Sequence, residues 1–100
     1  MRTSQEYIDL LKLHAAELHS QFGITSMLLF GSVARGEHNE KSDVDLFVTM
    51  PPQFYNHILA AQYLEDLLGC PVDLIQDHKN IRPFFREQIE RDGIPVFTAA

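Results

Sequence analysis

The chain has 100 residues, 45% hydrophobic and 22% charged, with a formal net charge of −6. That composition fits one soluble globular domain spanning residues 1–100, large enough for a single core. The acidic balance argues against a nucleic-acid backbone as direct partner, because such affinity comes from clustered Lys and Arg. Cys70 is the one cysteine, so no internal disulfide can form and a reducing cytoplasm is expected. No apolar run reaches the length of a membrane span, and the first residues lack the apolar core of a signal peptide.

Thr3 and Glu6 have capping-box spacing. Ile8, Leu11, Ala15, Leu18 and Phe22 then recur every three to four residues, which predicts one amphipathic helix of about five turns, closed by Gly23. Ile24–Phe30 reads as a first, central strand, and Ser32–Arg35 as one helical turn. Residues 37–41 form a polar loop. Val44–Met50 reads as a second strand, stopped by Pro51-Pro52. A helix over Phe54–Leu68, buried through Ile58, Ala61, Leu64, Leu67 and Leu68, ends at Gly69. Val72–Ile75 is a short third strand. Asn80 is the expected cap of a last helix with Pro83 in its first turn and Phe84, Phe85 and Ile89 facing inward. Ile94–Phe97 adds an edge strand, where proline is tolerated. The fold class is α/β or α+β, a small mixed sheet flanked by helices.

The chemistry concentrates in Gly31-Ser32-Val33-Ala34-Arg35-Gly36 and the later Ser42-Asp43-Val44-Asp45. Gly31 breaks the first strand where a backbone can approach a ligand closely. Asp43 and Asp45, two apart on an extended segment, face the same way. Two carboxylates about 5 Å apart repel by roughly 3 kcal/mol at an effective dielectric near 20. A divalent cation reverses that repulsion, and an all-oxygen ligand set favours magnesium or manganese. Asp73 sits in the apolar run from Val72 to Ile75, where an unpaired carboxylate is costly. It is either a third member of the site or a strand-end aspartate tied to backbone. The five histidines show no metal-ligand spacing, and surface roles are expected for them. Gly31-x4-Gly36 imitates the start of a P-loop, but Glu37-His38 follows where Lys-Ser/Thr is required, which excludes that class.

Gly-Ser, ten intervening residues and Asp-x-Asp together resemble the signature of the DNA polymerase beta-like nucleotidyltransferase superfamily. The run GSVARGEHNEKSDVDLFV is similar to the pattern of its minimal members, the MNT proteins, and a later strand bearing Asp73 extends the likeness. The resemblance implies that Gly31 and Ser32 hold a triphosphate, ATP, while Asp43 and Asp45 ligate two magnesium ions. Asp73 then completes the metal site or activates the acceptor. Arg35 either neutralises phosphate or forms a structural ion pair; Ser42 either bonds a phosphate or caps the strand entry. MNT proteins are antitoxins of HEPN-type toxins and can transfer AMP to a tyrosine of that partner, so the resemblance implies the same role and a hetero-oligomer here. Two other readings stand beside it: a binding antitoxin that works by contact alone, and a small-molecule transferase of the antibiotic-modifying kind. The second lacks its acceptor domain in a chain this short.

Overall fold

A computed structural model describes residues 2–99. In chain order the elements are α1 (Ser4–Leu13), α2 (Ala15–Phe22), β1 (Ser26–Phe30), α3 (Gly31–Ala34), β2 (Val44–Thr49), α4 (Phe54–Leu68), β3 (Val72–Gln76), α5 (Pro83–Asp92) and β4 (Ile94–Thr98). The fold is α+β. The strands form one mixed sheet in the order β3-β2-β1-β4. β1 pairs antiparallel with both β2 and β4, while β2 and β3 run parallel. A parallel pair needs a crossover, and α4 is that crossover.

Strand alternation divides the sheet into two unlike faces. On one, Met27, Leu29, Val44, Leu46, Val48, Leu74 and Val96 are buried with Tyr7, Ile8, Leu11, Leu18, Phe22, Ala60, Leu64 and Leu68 from α1, α2 and α4. The alternate positions Phe30, Asp45, Phe47, Asp73 and Ile75 lie on the other. There α5 sets the Phe85 ring edge-on to Phe30 with centroids 6.2 Å apart, and the Arg86 guanidinium 6.0 Å from the Phe47 ring. Arg86 is held in turn by Asp77 at 2.6 Å.

The expected single N-terminal helix is two. Its capping box at Thr3 and Glu6 forms, but the chain breaks at His14 (φ −102°, ψ 11°). The break re-aims the apolar stripe, so that α1 packs against β4 and α2 against α4. His14 and Glu17 lie within 3.4 Å, and the Tyr63 hydroxyl of α4 donates to Glu17, tying the corner down. Gly23 closes α2 at φ 72°, the left-handed position expected of it.

Three further expectations need correction. The buried stripe of α4 is Ala60, Leu64 and Leu68, one helical turn apart, which leaves Ile58 46% exposed. Asn80 does not cap α5; Arg82 holds the cap position without a side-chain bond, and Pro83 opens the helix. Phe84 is 71% exposed, because the position before Phe85 points about 100° away around the helix. The edge strand is as expected, with Pro95 in β4 at the end of the sheet.

Candidate active site

The sheet register assembles the candidate site. Asp45 pairs in register with Asp73 across the parallel β2–β3 ladder. Residues opposite one another share a face, and neighbouring strands are about 4.8 Å apart, so the two carboxylates stand abreast. Asp43 lies just outside β2, which begins at Val44 and not at the aspartate. It is exposed, and its charge still reaches Asp45.

Asp45 is the half-buried member of the three. Its carboxyl is pushed above the ordinary carboxylate range, first by burial and then by the negative charges of Asp73 and Asp43; Arg35 opposes the shift. A donor set made only of carboxylate oxygens, each raising the cost of ionising its neighbour, fits a hard divalent cation. Among the described residues no three His, Cys, Asp or Glu side chains are drawn together tightly enough to hold a metal ion as they stand. The fit therefore lies in donor chemistry and shared face, not in a closed cage.

Gly31 meets this group from the neighbouring strand. Phe30 pairs with Asp45 in the β1–β2 ladder, so the residue after Phe30 turns directly over the carboxylate. Gly31 has φ 74°, and a Cβ there would lie 2.1 Å from Asp45 Oδ2. Both facts require glycine. The resemblance implies a phosphate-holding role for this glycine; the first thing a methyl group would strike is the aspartate itself.

The four-residue α3 is tied back at several points. Ser4 Oγ donates to the Val33 carbonyl, and Glu37 N–H donates to the Ser32 carbonyl at 2.9 Å. Ser32 is half-buried, and its hydroxyl makes no hydrogen bond among the described residues. Arg35 Nε lies 3.4 Å from Glu37 Oε2, both exposed, a pair worth little in water. Its guanidinium is thus near enough to influence Asp45 while only loosely held.

Ser42 is placed differently. Its hydroxyl accepts the Asn39 N–H at 3.0 Å and its own N–H donates to the Asn39 carbonyl at 3.1 Å. This closes the polar loop ahead of Asp43. Ser42 lines a cavity with Arg2, Tyr7 and Cys70 that has no lining residue in common with the one at Gly31. The structure therefore gathers Gly31, Asp43, Asp45, Asp73 and Arg35, and leaves Ser42 in the supporting loop.

No residue of α5 is among those expected at the site, yet α5 borders it. A cavity of about 200 Å³ opens beside Gly31 and Arg35, lined also by Phe30, Phe85, Gln88, Ile89 and Asp92. The available signal was the row Phe85, Ile89 and Gln88, Asp92 at helical spacing. That row alone does not say which face of the sheet α5 covers.

Comparison with known proteins gives the family. The family model described as "Nucleotidyltransferase domain" matches residues 11–98. The Methanocaldococcus jannaschii protein named "Putative protein adenylyltransferase MJ1379" is 37% identical over 100 residues, covering 96% of this chain and 100% of the relative. A solved structure described as a "putative minimal nucleotidyltransferase" superposes with a TM-score of 0.77 at 32% identity, covering 94% of this chain and 96% of the other. The MNT antitoxin solved in complex with a tri-AMPylated Shewanella oneidensis HEPN toxin shares the fold at TM-score 0.64 and 19% identity, over 92% of this chain and 73% of that one. A strand–glycine turn set against a carboxylate pair, a matching family model and a full-length relative converge: the chain belongs to the nucleotidyltransferase domain family and is a nucleotidyltransferase.

Proposed function

We propose that this chain transfers AMP from ATP to a hydroxyl of a HEPN-type toxin, a tyrosine, and thereby acts as its antitoxin. One observation carries the chemistry: Asp45 and Asp73 abreast on one sheet face, with Gly31 turning over Asp45. The likeness to a protein named as an adenylyltransferase, and the fold shared with an antitoxin solved on an AMPylated HEPN toxin, support the choice of nucleotide and partner.

In this reading residues 1–100 work as one domain. Gly31 and Ser32 carry the triphosphate at the strand-to-helix turn, and Arg35 adds positive charge beside it. Asp43, Asp45 and Asp73 would hold magnesium, which when bound neutralises phosphate charge and polarises the α-phosphate. Asp73, the exposed member of the in-register pair, takes the hydroxyl proton. The acceptor oxygen bonds to the α-phosphorus, the bond from that phosphorus to the bridging oxygen breaks, and pyrophosphate leaves. The net charge of −6 suits a basic, RNA-binding partner and speeds encounter at low salt.

The test is the intact mass of a purified HEPN-type partner after incubation with this chain, ATP and magnesium. One or more AMP units should be added, and Asp43→Asn should abolish the addition. A partner left unmodified yet inhibited equally by wild type and Asp43→Asn would establish neutralisation by contact instead.

A further inference from the structure

The cavity between α3 and α5 has no part in the transfer chemistry above, yet it shares two residues with the phosphate turn, Gly31 and Arg35. Its volume of about 200 Å³ is below the 300–1,000 Å³ of a site that encloses a drug-sized ligand. It suits one planar ring system, with the rest of the ligand outside. The apolar part of its lining is aromatic and branched: Phe30 and Phe85, whose planes meet at 79°, and Ile89, which is 1% exposed.

Two polar groups complete the lining, one helical turn apart on α5. The Gln88 amide makes no hydrogen bond among the described residues, so both its donor and its acceptor are free. Asp92 is half-buried, and Arg91 Nε lies 3.5 Å from its Oδ1; its other oxygen has no partner among the described residues. An amide with a free donor and acceptor matches the adenine edge, where an amine and a ring nitrogen lie side by side. A carboxylate oxygen accepts from an amine and repels a carbonyl. Guanine and uracil present a carbonyl where adenine and cytosine present the amine, and a slot lined by two aromatic residues favours the larger ring.

We infer that this cavity is the nucleobase subsite, and that Gln88 and Asp92 read the amine-bearing edge of adenine. The inference rests on the nucleotide-transfer reading and deepens it, since it names two specificity-determining residues on α5.

Equilibrium binding without turnover tests it, with magnesium salts of ATP, GTP, CTP and UTP and with inorganic tripolyphosphate as a probe lacking a base. Wild type should bind ATP at least about tenfold tighter than GTP or UTP, the usual size of one good base contact. Gln88→Ala should weaken ATP about tenfold and leave tripolyphosphate unchanged; Gln88→Glu, which keeps the side-chain shape, should do the same if the alanine variant is poorly folded. Asp92→Asn should narrow the ATP-to-GTP ratio. Equal binding of all four nucleotides, or variants that bind ATP like wild type while tripolyphosphate still competes, overturns the base subsite and leaves the transfer reading standing. If neither ATP nor tripolyphosphate binds, both fail together.

Discussion

Leu46 and Asp45 are neighbours in the chain and belong to different worlds. Leu46 is fully buried in the face covered by α1, α2 and α4, among side chains with no polar partner to satisfy. Asp45 points to the face that α5 covers only in part, beside Asp73, Gly31 and a cavity. One face is filled with apolar side chains and stabilises the fold. The other keeps like charges at close quarters, an arrangement that costs stability. The difference teaches that stability and chemistry are separated here by the pleat of a single strand.

The separation can be broken first from the stable side. Leu46→Ala should lower stability by about 3 kcal/mol, the usual cost of a buried leucine truncated in a tight core. Urea denaturation measures it. Nucleotide affinity at low temperature, where the variant remains folded, should stay within a few fold of wild type. A selective loss of binding without loss of stability would show that the two faces are not independent.

Gly31→Ala joins the two faces and should come next. Left-handed backbone costs an L-residue about 1–2 kcal/mol, and the new methyl group collides with Asp45 Oδ2. Both stability and nucleotide binding should fall. Asp45→Asn in the same background does not remove the crowding, so it should restore no more stability than it adds to wild type. A variant that lost binding alone would return this glycine to a purely phosphate-facing role.

The smallest effect is the most diagnostic. Asp45 titrates above its ordinary value of 3.8 through burial and the charges of Asp73 and Asp43. A raised folded-state value means that the folded chain holds this proton more tightly than the unfolded one. Its contribution is therefore fully present below the unfolded value and is lost as pH rises through the folded value. Asp45→Asn should accordingly melt higher than wild type at neutral pH without divalent cations, and the gap should close towards pH 4. A melting difference that is flat across that range would mean that neither burial nor the neighbouring carboxylates shift the group.

Much of this was legible from residue types alone, for reasons that can be named. Gly31 and Asp45 stood out because a strand that ends in glycine and a strand that opens with carboxylates both violate apolar patterning. The helix over Phe54–Leu68 matched at both ends, because Pro52 and Gly69 punctuate it. His14 was invisible because the apolar period runs through it undisturbed; the break answers to two different packing partners, which no local signal encodes. The start of β2 at Val44 matches its expected bound, so Asp43 stands one residue ahead of the ladder. The contribution of α5 was hidden for the same kind of reason. Phe84 and Phe85 are equally apolar, and only docking against Phe30 decides which one is covered.

In the proposed function, the parallel pairing of β2 with β3 also governs when the chain can act on a nucleotide. Asp45 and Asp73 come from opposite ends of the α4 crossover, and β3 is an edge strand with a single neighbour. In the proposed reading, a chain lacking the β2–β3 ladder has no in-register pair of carboxylates, and hence nothing on which a nucleotide could be activated. In that reading competence arrives with the β2–β3 ladder, and a copy without β3 is chemically silent.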